Sequence, residues 1–285
     1  MCDTCDGHQH HDQHQTPETT PSEGIKIAIT GKGGVGKTTL AGVLSRAFAS
    51  DGRRVLAVDA DPDANLAASL GMTAEKSAQI LPLSKMKELA RERTGADEVS
   101  GSHFKLNPRV SDLREKFSIN HAGVDLLLMG TVEQGGTGCV CPEHTLIKRL
   151  MSHLLLDRND VVIMDMEAGI EHLGRGTAQS VDALVVVVEP GQRSLQTAAQ
   201  VNRLASDIGI TKVFYVGSKV EGDADRQFVS NALAGNKLLG CISTSEQVRT
   251  ADKQGVSVFD SGGETVAEVI AIKQKLVAEL ANTGA

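Results

Sequence analysis

Apolar residues in this chain come in two alternating patterns. Short, nearly unbroken runs rich in Val, Ile and Leu ("IKIAIT", "RRVLAVDAD", "GVDLLLMG", "DVVIMD", "VDALVVVVE", "TKVFYVGSK" and "KLLGCIS") predict strands. Because they barely alternate with polar residues, they fit parallel strands buried on both faces. Between them, helical spacing appears from Leu40 to Ala49, within "SKMKELARERT", and from Glu143 to Leu156, where Leu146, Leu150, Met151 and Leu154 fall near one face. It returns in "SLQTAAQVNRLASDIG" and from Gly263 to Leu280. Strand–helix alternation predicts one α/β domain, a doubly wound, mostly parallel sheet flanked by helices. The stretch from Met72 to Asn120 reads as irregular, and no internal repeat is visible.

Residues 1–24 break the pattern. They are polar, contain prolines and offer no apolar set that could build a core. The expected organisation is therefore a flexible leader over 1–24 and a single domain over 25–285. The leader holds Cys2, Cys5, His8, His10, His11 and His14, ligand types that suit borderline metals. It reads either as a loose metal-capture tail or as a passive extension.

Composition narrows the function classes. A chain of 285 residues with 40 % apolar and 23 % charged residues has the makeup of an ordinary soluble protein. A net charge of -7, one Tyr and no Trp argue against a nucleic-acid partner, which wants basic clusters and stacking platforms. "DALVVVVE" and "DLLLMG" fall well short of the roughly 18–20 residues that span a bilayer. The terminal helix is not basic, so no stable membrane association is expected. The N-terminus lacks a signal-peptide core, and the expectation is a cytoplasmic protein. Five cysteines in a chain of this size do not make a disulfide framework.

The strongest chemical signal is "GKGGVGKTT", Gly31 to Thr39, directly after the first predicted strand. It fits G-x-x-x-x-G-K-[ST], the phosphate-binding loop. Gly33, Gly34, Val35 and Gly36 supply backbone N–H groups to phosphate oxygens, Lys37 reaches the β- and γ-phosphates, and Thr38 offers a hydroxyl to Mg²⁺. Thr39 completes the cradle. Lys32 is an extra cation early in the loop, placed either beside the same phosphates or to reach a nucleotide held by a second subunit. In "VDADPDANLA" Asp59, Asp61 and Asp63 end the second strand, at the sheet edge where α/β proteins bind ligands. Asp61 is the candidate for orienting the attacking water, and Asp59 for holding Mg²⁺ directly or through water. Asp63 is equally a helix-capping turn residue. In "VVIMDMEAG" Asp165 is a second strand-end carboxylate for Mg²⁺, and Gly169 marks a loop able to respond to the terminal phosphate. Glu167 stays open between a site residue and a solvated side chain, and His172 reads as a loop residue. Ser218 and Lys219, at the end of a late strand, are the candidates for meeting the base. Cys241 reads as a core filler.

"GTGCVCPEH" places Cys139 and Cys141 one residue apart in a glycine-rich turn. Disulfide, buried thiols and half a metal site are all open from the residues alone.

Together "GKGGVGKTT", "DADPDAN", "GCVCPEH" and "DMEAGIEHLGRGT" resemble the CooC family, within the MinD/ParA/nitrogenase-iron-protein class of P-loop NTPases. The resemblance runs over roughly residues 25–280. It implies an ATPase that assists nickel insertion into carbon monoxide dehydrogenase as a homodimer closing around two ATP molecules. It also implies Lys32 acting in trans, Lys37 and Asp61 as catalytic residues, and Cys139 with Cys141 as the metal pair. The expected cofactors are ATP/ADP and Mg²⁺, with Ni²⁺ or Zn²⁺ at the dimer interface. One departure is "GSK", where many relatives carry Asn before the Lys, and this weakens Ser218 as an adenine contact. Two thiolates cannot complete a tetrahedral or square-planar site, but a two-fold axis through the loop would supply four. The rival readings are an iron–sulfur reductase component like the nitrogenase iron protein and a MinD/ParA-type positioning ATPase. The first would carry cysteines far apart in sequence, and the second a basic helix or patch.

Overall fold

The apolar runs become strands because helices cover them on both sides. The computed structural model describes residues 24–95, 105–130, 142–156, 160–170 and 180–282, with Leu173 and Ala178. The leader with its Cys and His residues, the Cys139/Cys141 turn and His172 lie outside the described residues. In chain order the strands are β1 (Lys26–Gly31), β2 (Val55–Asp59), β3 (Ile119–His121), β4 (Val124–Leu128), β5 (Val161–Asp165), β6 (Ala183–Val188), β7 (Val213–Val220) and β8 (Lys237–Ser243). They form one sheet in the order β3-β4-β2-β5-β1-β6-β7-β8. Every neighbouring pair is parallel except β3–β4. β1, β2, β5 and β6 are buried along their whole length, as their largely apolar composition demands, and that burial takes in Lys26, Thr30, Asp59 and Asp165 as well.

The helices are α1 (Lys37–Ser50), α2 (Leu66–Ser69), α3 (Ala74–Ser77), α4 (Lys87–Thr94), α5 (Leu113–Phe117), α6 (Pro142–Leu156), α7 (Gln192–Ile208), α8 (Gly222–Ala232), α9 (Glu246–Gln254), α10 (Val258–Ser261) and α11 (Glu264–Ala281). The period-two alternation of β1 separates two cores. Ile27 and Ile29 pack with α1, α2, α10 and α11, whereas Ala28 packs with α4, α6, α7 and α8. Lys273 of α11 ties the first layer together. Its ammonium donates to Ala47 O at 3.1 Å, pairs with Asp51 at 2.7 Å and lies over the Phe48 ring. Arg46 of α1 similarly holds α10, through a two-pronged contact with Asp260 and a stack on Phe259.

The sequence reading expected seven strands, and the structure adds β3. This strand is joined to β4 by a two-residue turn in which Ala122 and Gly123 have φ of 49° and 81°. Positive φ at both central positions matches the twist of a hairpin. α8, α9 and α10 also lay outside the expected helices.

Registration of β2 with β5 is what positions the site. Asp59 pairs directly with Asp165, and Ala60 N continues the ladder to Asp165 O at 2.9 Å. The next strand over is β1, so the phosphate-binding loop, the loop after β2 and the loop after β5 leave the same end of the sheet side by side.

Candidate functional site

The P-loop folds as its glycines require. Gly31 ends β1 at φ 149°, where an added Cβ would stand 2.4 Å from the carbonyl oxygen of Val187 in β6. Gly34 and Gly36 take φ of 75° and 97°. Val35 is fully buried and anchors the loop from below, while Gly33 and Gly34 stay exposed with their backbone open to a ligand. α1 starts at Lys37 with no side chain capping its end, so its first N–H groups and its positive dipole end face outward. That is an anion site built from backbone. Gly31→Ala is expected to cost about 2–3 kcal/mol in urea unfolding, because the clash is with backbone and cannot be relieved by a rotamer change.

Two cations border this cradle. Lys37 is buried, its ammonium 3.4 Å from Lys32 O. Lys32 is half-exposed and pairs with Glu189, just past β6, at 3.0 Å. Thus within the single chain the extra lysine is already engaged. Lys219, a candidate for meeting the base, is placed against the P-loop. It is exposed, sits at φ 55°, and donates to Gly34 O at 2.5 Å, strapping the loop from β7. Ser218 is buried beneath the loop, where a Cβ on Gly36 would come 3.0 Å from its hydroxyl. Both residues brace the P-loop, and neither lines the cavity.

Under the loop lie the two paired carboxylates. Asp59 is buried; its oxygens accept from Asp61 N at 3.2 Å and Leu66 N at 2.9 Å. Burial pushes its carboxyl up to about 7, aided by the charges of Asp165 and Asp61 and opposed by those two N–H groups. Asp165 is fully buried and pushed up to about 6, chiefly by burial, with Asp61 adding and Thr38 and Lys37 opposing. Thr38 and Lys37 are close enough to favour its charge, yet neither Asp165 oxygen has a hydrogen-bond partner of normal geometry. A fully buried carboxylate without a hydrogen-bond partner, beside a threonine hydroxyl, is a socket suited to a cation. The donor set fits Mg²⁺, which takes one or two carboxylates and keeps its other positions for water and phosphate. Among the described residues no group of three or more His, Cys, Asp and Glu is gathered to hold a metal ion.

Above the socket opens a cavity of about 740 Å³. Its phosphate end is Gly33, Gly34, Gly36, Lys37, Asp61 and Glu167, with Thr38 and Thr39 on its floor. Its far wall is Val248, Arg249, Asp252 and Val256, from α9 and the turn after it. These four carry no motif, and sequence reasoning missed them. The signal available was only the helical spacing in "SEQVRTADKQG". Asp63 lines the rim as an exposed turn residue, its N–H donating to Asp61 Oδ1 at 3.0 Å.

The two ends of the cavity are mechanically joined by Ser69. Its hydroxyl donates to Thr38 O at 2.9 Å, and its carbonyl accepts from the Ser257 hydroxyl at 3.0 Å. The approach is so close that a Cβ on Gly42 would stand 2.2 Å from the Ser69 oxygen. Cys241 is only partly buried, against the core layer of α7 and α8 and over Gly217, and burial raises its thiol. No helix among the described residues is long and apolar enough to cross a membrane.

Comparison with known proteins gives the same picture. The family model for the CobQ/CobB/MinD/ParA nucleotide binding domain matches residues 26–258. The carbon monoxide dehydrogenase accessory protein CooC of Rhodospirillum rubrum is 53% identical over 236 residues, covering 83% of this chain and 90% of that protein. An uncharacterized ATP-binding protein of Methanocaldococcus jannaschii is 45% identical, covering 79% and 87%. Among solved structures, the MinD cell division protein of Aquifex aeolicus superposes with a TM-score of 0.65 at 21% identity, over 89% of this chain and 97% of that one, which shows the shared fold.

Proposed function

The chain belongs to the CooC family, within the CobQ/CobB/MinD/ParA nucleotide-binding class, and from that premise we propose that it couples ATP hydrolysis to delivery of nickel to carbon monoxide dehydrogenase. The ATPase is P-loop chemistry, and the observation that carries it is the unsatisfied Asp165 socket beneath the phosphate cradle. Asp59, Asp165 and Thr38 would hold Mg²⁺, which would neutralise charge on the β- and γ-phosphates. The backbone N–H groups from Gly33 to Thr39 and the Lys37 ammonium bind the phosphates. Asp61 orients the attacking water. The nucleoside end rests on Val248, Arg249, Asp252 and Val256, while Lys219 and Ser218 keep the loop in shape.

The finer reading concerns assembly and cargo. Lys32 would leave Glu189 and reach the nucleotide of a second copy, so that ATP closes a homodimer. Cys139 and Cys141 from the two copies would then present four thiolates to Ni²⁺ or Zn²⁺ on the symmetry axis. Support for a link between the two sites comes from the frame that carries the turn. β4 lies beside β2, and Met129 N donates to Asp59 O at 2.9 Å just before the chain departs toward Cys139. ATP and metal would each favour the closed state, and hydrolysis would release the ion.

The test is mass and metal content measured together, with and without ATP. Cys139→Ser and Cys141→Ser are expected to lose the metal shared by two chains while ATP binding stays within about threefold. Unchanged metal per dimer in both variants would sink the cargo site and leave the ATPase standing.

A further inference from the structure

Asp61 is the water-orienting residue proposed above, and the sheet register places a second carboxylate beside it. Asp59 and Asp165 are direct partners across β2 and β5. Asp61 and Glu167 each lie two residues beyond, so they leave the sheet edge together on adjacent loops, and both line the phosphate end of the cavity. They differ in how they are held. One Asp61 oxygen is engaged by Asp63 N at 3.0 Å. Glu167 is exposed, and its carboxylate has no hydrogen-bond or ion-pair partner among the described residues.

Its backbone, by contrast, is fixed. The buried Thr30 hydroxyl of β1 lies 2.9 Å from Glu167 O and 2.8 Å from Gly169 O, and Gly169 N is 3.2 Å from the same hydroxyl. Gly169 N also donates to Glu167 O at 2.8 Å. Met166 N, one residue earlier, is tied to Ile29 O at 3.0 Å. The segment is thus a rigid platform, attached to the strand that carries the P-loop, presenting an unpaired anion where a polyanion binds. An anion there repels phosphate, so substrate binding alone gives no reason for it. The cation socket beneath is already supplied by Asp59 and Asp165. What remains at that end of the cavity for it to meet is the water that attacks the terminal phosphate, for which Asp61 offers one oxygen, the other being engaged by Asp63 N.

We infer that Glu167 is a second catalytic carboxylate, accepting a hydrogen bond from the attacking water and holding it in line together with Asp61. The inference rests on the ATPase reading. In the step it serves, the water oxygen bonds to the γ-phosphorus as the bond from that phosphorus to the bridging oxygen breaks. ADP leaves with the electron pair, and the proton from the water ends on the released phosphate. Glu167 is unchanged overall; its contribution is orientation, the kind of positioning that is lost when an acceptor moves by about 1 Å.

The experiment uses the full chain with Mg²⁺ and ATP. Glu167→Gln keeps the size of the side chain and removes its charge. It is expected to lower kcat about tenfold or more, with KM and ADP affinity within about threefold of wild type and the melting temperature unchanged. Glu167→Asp keeps the charge but withdraws it by one CH₂, and is expected to lose kcat as well. A Gln variant with wild-type kcat, or a loss confined to KM, overturns the inference while the ATPase reading stands. A wild-type chain that turns over no ATP overturns both.

Discussion

Lys37→Ala is expected to reduce ATP turnover by about 100- to 1,000-fold and to weaken nucleotide binding, measured as phosphate release and as fluorescent-ADP titration. The reasoning starts from the cradle. Its backbone N–H groups and the α1 dipole attract phosphate without a net charge, and of the lysines at the loop Lys219 is engaged by Gly34 O, which leaves Lys37 and Lys32 as the cradle's own positive charges. Of these, Lys32 is paired with Glu189, whereas Lys37 is buried at the loop, its ammonium by the Lys32 carbonyl and its charge felt by Asp165. Removing Lys37 leaves the anion facing Asp165, Asp59, Asp61 and Glu167 without the buried cation of the loop. Fold should survive, because the loop is pinned independently by Val35 from below and by Lys219 from above. A variant that retains wild-type turnover would show that the cradle is not the reacting site.

The second large effect is on stability. The Asp59 carboxyl titrates near 7 and that of Asp165 near 6 in the folded chain, both above their ordinary range because burial disfavours the charge. A raised folded value means the folded chain binds protons that the unfolded chain has released. The stability is therefore complete below about pH 4 and falls as pH rises through 6 to 7. For Asp59 alone the loss is roughly 3–4 kcal/mol; the two groups repel each other, so their losses do not simply add. On the proposed assignment Mg²⁺ would bind the ionised pair, and is expected to restore most of the loss at pH 8 while doing little at pH 5. Urea unfolding with EDTA and with Mg²⁺ at the two pH values measures this. Asp59→Asn, whose carbonyl can still accept from Leu66 N, should flatten the metal-free slope. A metal-free slope that is flat or rising in the native chain would contradict the socket.

The strands and the phosphate loop were legible because each is written in consecutive residues. A strand covered on both faces must be mainly apolar: β6 is so at every position, and β1 and β5 depart from it only at Lys26, Thr30 and Gly31 and at the terminal Asp165. β3 was not legible, since "INH" has no apolar run and exists only because the Ala122–Gly123 turn returns the chain to β4. α8 begins Gly-Asp-Ala-Asp, which reads as a loop, although Asp223 and Asp225 suit the positive end of a helix. Within the site, Lys37, Thr38, Asp59 and Asp165 could be picked out by spacing from strand ends. The Val248–Val256 wall could not, because about 200 residues of chain separate it from Thr39 and tertiary contacts, the packing of α10 on α1 and the Ser69 link, bring them together. Ser69 and Glu167 were invisible as partners for a similar reason: what matters is the backbone each is fastened to.

The ends of the sheet carry a consequence for how copies of this chain can meet. One margin is β3, three residues long and antiparallel to its neighbour; the other is β8, where Lys237 is exposed, Lys275 takes the Leu238 carbonyl at 2.7 Å and Ser243 is held by Glu268 and Arg226. Neither margin offers a long row of free backbone groups, so strand-to-strand growth between molecules is discouraged. Association is left to helix faces and to the loops at the carboxyl ends of the strands. Only the latter would bury the nucleotide between two molecules, and there each copy could count the other's phosphate before committing to the cargo.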